Sequence, residues 1–392
     1  MARAAAAAGL ALFLSGAAAL AQTPADPCRM AAPFSRPDEI AAALQNRTRA
    51  IDAGARTARA YLDRAACSER LGDVVGALGD VNTALKLDGT NAEAYRDRAR
   101  LFAKGGRLDR SLADLDEAVR LEPASVPALQ GRAEVEARLR KHREAVEDFG
   151  AVLKLEPQNV VARHGRGASL AILGETDRAI ADLDQALRDD PRYTPALLAR
   201  GEAYARSGRH DRALEDYGGY LAVNPDDAYA HFRRGVSLAR VGRLADAVAD
   251  FSEAIRLDPK LLSAYVERGR AYARLDHPDR AVLDLDEAVV LAPRFALAHN
   301  ELAWLLATSR HDAVRDGKKA VEHARIAAEL AAFKNPGYLD TYAAALAEAG
   351  DYAEAVKWQS RALELPGFEG AARDAATARL KLYESGRPFR SD

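Results

Sequence analysis

Arginine recurs every 34 residues as Arg64, Arg98, Arg132, Arg166, Arg200, Arg234 and Arg268, and aspartate keeps the same interval as Asp80, Asp114, Asp148, Asp182, Asp216, Asp250 and Asp284. A row of guanidinium groups could hold an anionic ligand. Carboxylates two apart, such as Asp114 with Asp116, Asp182 with Asp184 and Asp284 with Asp286, could share acid and base work. Helical geometry weighs against both readings. Residues two apart on a helix point to different faces, so those carboxylates do not converge. Each arginine precedes its aspartate by 16 residues. Across an antiparallel hairpin that turns midway, that spacing sets them side by side, where guanidinium and carboxylate form a charge-assisted fork. The expected role is a structural ladder, with Arg132 and Asp148, Arg166 and Asp182, Arg200 and Asp216, and Arg234 and Asp250 among its rungs.

Other reactive side chains follow the same interval and do not cluster. His142, His210 and His277 fall where hairpins turn, His231 and His299 share one repeat position, and His311 and His323 lie in and after a locally stretched segment. That scatter gives no metal-ligand spacing. There is no G-x-G-x-x-G after a strand, no Walker loop, no C-x-x-C and no H-E-x-x-H, so neither a catalytic residue nor a cofactor is expected. Asn46, Arg47 and Thr48 spell a glycosylation sequon, but on an expected helix it carries little weight.

The elements that place these columns are marked by Pro123, Pro157, Pro191, Pro225, Pro259 and Pro293, each 34 apart. A fixed period of this length describes one helix-turn-helix per repeat, stacked on its neighbours to share a core. With the proline at position 32, the repeats start at Ala58, Ala92, Val126, Val160, Thr194, Ala228 and Leu262. Position 8 holds only alanine or glycine, and position 20 only alanine except for Ser111. Two helices approach to roughly 8 Å only where facing side chains are small. Gly72, Gly106, Gly174, Gly208 and Gly242 stand where the first helix must stop, with Arg140 and Asp276 in the other two repeats.

These small residues, the aromatics Tyr61, Tyr95 and Tyr265 at position 4, Phe149, Tyr217 and Phe251 at position 24, and the proline resemble the tetratricopeptide repeat. The resemblance implies an all-α, right-handed superhelical solenoid of antiparallel helix pairs. It also implies a non-catalytic scaffold that holds a peptide or partner protein in a concave groove, here of an exported bacterial type. Chaperone adaptors of this family clamp acidic C-termini with lysine and asparagine. Positions 5 and 9 here carry Leu62 and Ala66, Arg96 and Arg100, and Gln130 and Glu134, so that clamp is missing.

The expected organisation is a signal peptide at 1–21, an N-terminal segment with a capping helix at 22–57, and seven full repeats over 58–295. A repeat with a lengthened turn at 296–335, a final repeat at 336–369 and a capping helix with tail at 370–392 complete it. The signal reading rests on Arg3, the apolar run from Ala4 to Leu20 and small residues at Ala19 and Ala21. It predicts cleavage after Ala21 and a periplasmic or secreted chain with no integral membrane segment once mature. The alternative is an uncleaved membrane anchor. In an oxidising compartment Cys28 and Cys67 could bridge; otherwise they are a free thiol and a small half-buried residue. Lys and Arg total 56 against 58 Asp and Glu, and no block of like charges occurs, so nucleic acid is not an expected partner.

Positions 2, 5, 9 and 12 of the first helix fall within about 80° of one another and form one stripe. In the resembling family this stripe lines the groove. It shifts from polar, with Arg96 and Arg100, to apolar and aromatic, with Tyr229, Phe232, Val266, Arg270, Asn300 and Trp304. Exposed aromatic side chains invite cover, so the later end is the expected anchor for a partner. A competing reading puts an enzyme or cofactor site in the stretched segment at 307–319.

Overall fold

Asp73, Asn91, Asn159, Asp227, Asp316, Asn335 and Asp351 each accept a hydrogen bond from the backbone N–H three residues on, at 2.8 to 3.2 Å, and a helix begins at each. At the other end, Gly72, Gly106, Gly174, Gly208 and Gly242 adopt φ of 71° to 84°. Arg140 and Asp276 take φ of 63° at the equivalent place, so the turn is kept without glycine. The computed structural model describes Cys28 and residues 36–391. The expected signal peptide therefore lies outside the described residues, which contain 20 helices and no strand.

The chain forms two compact units that divide between Leu155 and Glu156. The first holds α1 (Pro37–Asp52), α2 (Ala58–Arg70), α3 (Val74–Leu87), α4 (Ala92–Lys104), α5 (Leu108–Leu121), α6 (Val126–Arg138) and α7 (His142–Leu155). Helices α2 and α3, α4 and α5, and α6 and α7 pair as hairpins that stack in order, with α1 packed on α2. Cys28 is joined to Cys67 on α2 by a disulfide, with Cα atoms 4.8 Å apart. The Arg47 guanidinium of α1 lies against both sulfurs, at 3.0 and 2.6 Å.

The second unit holds α8 (Val160–Ile172), α9 (Thr176–Asp189), α10 (Thr194–Arg206), α11 (His210–Val223), α12 (Ala228–Arg240), α13 (Leu244–Leu257), α14 (Leu262–Arg274) and α15 (Pro278–Leu291). It continues with α16 (Ala296–Thr308), α17 (Gly317–Leu330), α18 (Pro336–Glu348), α19 (Tyr352–Glu364) and α20 (Gly370–Glu384). Six hairpins follow one another, and α20 closes on α19.

Small residues set the helix spacing in both units. The alanines of position 20 and Ser111 are fully buried. A Cβ at Gly201 would stand 2.8 Å from the Tyr217 ring, and one at Gly235 2.7 Å from the Phe251 ring, so both positions must lack a side chain for these buried rings to fit. The lengthened turn between α16 and α17 is bound on both sides. His311 and Arg310 reach back to Asp276 at 2.6 and 2.7 Å, while Arg315 reaches on to Glu348 at 3.0 Å.

Candidate functional site

All seven arginines of the ladder donate twice to the aspartate 16 residues on, through Nε and Nη2, at 2.6 to 2.9 Å. The aspartates are buried. The bond to Asp182 raises the Arg166 guanidinium above its ordinary pKa, and the same cause acts at Arg64, Arg98 and Arg234. Tyr61, Tyr95 and Tyr265 add ring faces 5.5 to 5.9 Å from the guanidinium of their own repeat.

Four of the rungs do more than close their own hairpin. The remaining Nη1 reaches back into the preceding repeat, from Arg98 to Asn82 (2.9 Å), Arg132 to Asp116 (3.1 Å), Arg200 to Asp184 (2.6 Å) and Arg268 to Ser252 (2.9 Å). Sequence reasoning missed this second bond. Its signal was the run of polar residues two places after the ladder aspartate, interrupted at Gly150 for Arg166 and at Gly218 for Arg234. The row is thus turned to the protein's own carboxylates, each arginine spending its Nε and Nη2 on the aspartate of its own repeat, and paired carboxylates such as Asp114 and Asp116 serve different arginines.

In the first unit, α4, α5 and α6 enclose a cavity of about 520 Å³. Ser111, Leu115, Gly131 and Val135 contribute its floor, and Arg96, Arg100, Gln130 and Glu134 stand around it. Most of these charges are already matched. Arg100 pairs with Asp97 at 3.0 Å and with Glu69, and Gln130 donates to Glu134 at 3.0 Å. Burial pushes the Glu69 carboxyl up, but Lys104 and Arg100 outweigh it and leave its pKa below the ordinary carboxylate range. Two polar atoms are not matched. Arg96 Nε and Ser111 Oγ are buried without a hydrogen-bond partner, and Arg96 Nη1 makes only a long contact of 3.4 Å to Ser125. Unsatisfied buried donors cost free energy until a ligand meets them.

The later stripe is less open than its sequence suggests. Val266 is 1% exposed, packed among Leu285, Ala298 and Leu302, so the expectation that it lines a groove is corrected: the following repeat covers it. Phe232 lies on the buried Phe251 ring, with centroids 6.0 Å apart. Tyr229 remains 47% exposed, its hydroxyl donating to Glu202 at 2.6 Å. Arg270 is held between Glu267 and Glu301 at 2.7 and 2.8 Å, and Asn300 leaves Oδ1 buried and unpartnered. Trp304 packs against Phe389 from the chain's own tail, the rings tilted and their centroids 5.8 Å apart.

The stretched segment shows no enclosed chemistry. Its ion pairs hold it to the turns on either side, and no group of three metal-ligating side chains occurs among the described residues. Nearby, His299 and His323 meet at 2.9 Å between Nδ1 atoms. His299 Nε2 lies 3.1 Å from the Pro293 carbonyl, which can only accept, so that nitrogen carries a hydrogen and His323 Nδ1 is the donor between the rings.

The tetratricopeptide repeat family model matches residues 76–126, 131–194 and 198–261. Those residues are tetratricopeptide repeats. Its fold is similar to that of a tetratricopeptide repeat protein from Parabacteroides merdae, at 19% identity over 62% of this chain and 96% of that one, with a TM-score of 0.52. It is also similar to the APC/C hetero-tetramer Cut9-Hcn1, at 20% identity over 79% of this chain and 59% of that one, with a TM-score of 0.53. No curated protein sequence matches the chain. Tetratricopeptide repeat proteins bind protein partners. No described helix is long and apolar enough to cross a membrane.

Proposed function

We propose that this chain is a non-catalytic scaffold that holds a peptide or partner protein on the exposed faces of its repeats, in an extracytoplasmic compartment. The observation that carries the binding reading is the cavity of the first unit, where Arg96 Nε and Ser111 Oγ are buried without partners. A carboxylate accepting from both, with an apolar neighbour against Leu115 and Val135, satisfies the two donors and fills the floor. The partner chemistry is therefore an acidic side chain flanked by an apolar one. The compartment reading is supported by the signal-like residues 1–21 and by the bond between Cys28 and Cys67, which suits an oxidising environment.

Immobilised mature chain and its Arg96→Ala variant, exposed to the same extracytoplasmic extract, test the binding reading. A protein retained by the first and lost from the second is the expected result. Equal retention by a folded variant would move the site away from Arg96. Intact mass of chain purified from its native host tests export, since the mature protein should begin at Gln22.

A further inference from the structure

The segment after α20 returns across the ends of earlier helices and lands on the stripe expected to receive a partner. Phe389 packs on Trp304 of α16 with the rings tilted at 43°, and the Arg379 guanidinium of α20 stands 5.4 Å from both ring centres. Arg390 forms an ion pair with Glu348 of α18 at 2.6 Å, and the Ser391 N–H donates to the Thr308 carbonyl at 2.8 Å. Ring meets ring, cation meets carboxylate, and backbone meets the open carbonyl end of a helix.

From this the geometry points to a docking surface for an aromatic–arginine segment of a partner protein, held closed by the chain's own Phe389 and Arg390. This site is separate from the cavity of the first unit. The contact is built to open without leaving stranded charge. Glu348 keeps Arg315 at 3.0 Å when Arg390 departs, and Arg379 keeps its fork to Asp340 at 2.9 and 2.8 Å. What remains is a preformed receptor, with Trp304 beside a fixed guanidinium, Glu348 held in place, and the Ala307 and Thr308 carbonyls free. The tail itself has no regular structure after Gly386 and is only half-buried, so few of its own contacts oppose release. An incoming segment of the same chemistry makes the same contacts and gains what the tail loses. Tethering gives the tail a high effective concentration, so a partner must bind more strongly than an isolated copy of the tail does.

The test uses full-length chain and a fluorescein-labelled peptide with the sequence of residues 386–391, read by fluorescence anisotropy. A Phe389→Ala, Arg390→Ala double variant is expected to bind the peptide saturably and at least tenfold more tightly than wild type. Adding Trp304→Ala should weaken that binding at least tenfold. If the double variant is not folded by circular dichroism, the single Arg390→Ala chain is read in the same way, with an intermediate gain expected. No saturable binding to a folded variant overturns the proposal, as does equal binding by wild type. Binding of wild-type chain to the variant with the same affinity as the peptide would make the occupant a second copy, and overturns the assignment to a different partner.

Discussion

The Arg96 region of the first unit and the Trp304 region of the second are built on the same repeat positions, yet they present opposite surfaces. The first is charged and encloses space, with two buried donors unmatched. The second is aromatic, and its apolar members already have cover: Val266 from the next repeat and Trp304 from the tail. Apolar character in a stripe therefore measures how strongly a residue seeks cover, not whether a partner outside the chain supplies it. A buried donor without a partner is the better sign of a vacancy that a ligand fills, because folding itself has no use for it.

The largest expected difference between the units comes from the disulfide, which constrains only the first. Its cysteines are 39 residues apart, and the loop-entropy model assigns about 4 kcal/mol to such a cross-link. Reduction should speed amide exchange in α2 and α3 while α12 to α15 keep their protection. Equal loss of protection in both units would show that the bond is not a local constraint.

Cutting the ladder should erase the distinction between the units, since the rungs are common to both. Arg98→Ala and Arg200→Ala each leave a buried aspartate unpaired and break a bond to the previous repeat, at an expected cost of about 3 kcal/mol. Arg234→Ala should cost about 2 kcal/mol, because Gly218 offers that arginine no polar side chain to reach and Asp250 keeps His231 at 3.1 Å. Urea unfolding of the three variants measures the order. An Arg234 variant as unstable as the other two would mean that neither the backward bonds nor the His231 contact contributes.

What could be read in advance and what could not divides along the range of the interaction. Helix starts, the small-residue columns and the Arg-to-Asp spacing are all set within one repeat, and there residue type and period carry the information. The tie from Arg200 to Asp184 depends on how one repeat rests on the last. The burial of Val266 depends on the next repeat, and the cover over Trp304 on a segment 85 residues further on. None of these is a matter of local spacing. Ser111 lies between the extremes: one serine in a column of alanines is visible in the sequence, but only the fold shows that its hydroxyl opens on a cavity.

Ser111→Ala sharpens the contrast at a single atom. Ala213 and Ala247 occupy the same position in the second unit and are fully buried. Removing an unsatisfied buried hydroxyl should stabilise the free chain by about 1 kcal/mol, while weakening a partner that accepts from it about fivefold. A variant that loses stability would show that the hydroxyl is satisfied before any ligand arrives, and the vacancy argument would fail with it.

The smallest effect concerns pH, and it should run in opposite directions in the two units. In the first, burial, then the Asp148 charge, push Glu136 up to about 7, against the opposing pull of Arg132. A carboxyl held above its unfolded value binds a proton more readily when folded. Its contribution is full below the unfolded pKa and is lost as pH rises toward 7. In the second unit, burial, then the neighbouring His299, hold His323 below its ordinary value, and burial does the same to His164. Their folded state prefers the neutral ring, so that contribution is present above the unfolded pKa of about 6.5 and is lost as pH falls below it. Solvent reaches His323 in part and screens its effect, whereas Glu136 is buried. Glu136→Gln should therefore stabilise the first unit at pH 7.5 and leave it unchanged near pH 4.5, whereas His323→Phe should reduce the acid sensitivity of the second unit and do nothing for the first. Amide exchange in α6 and α17, followed from pH 7.5 to 5 with correction for the intrinsic rate, reads both at once. A Glu136→Gln chain no more stable than wild type at pH 7.5 would mean that the carboxylate is already satisfied in its charged form.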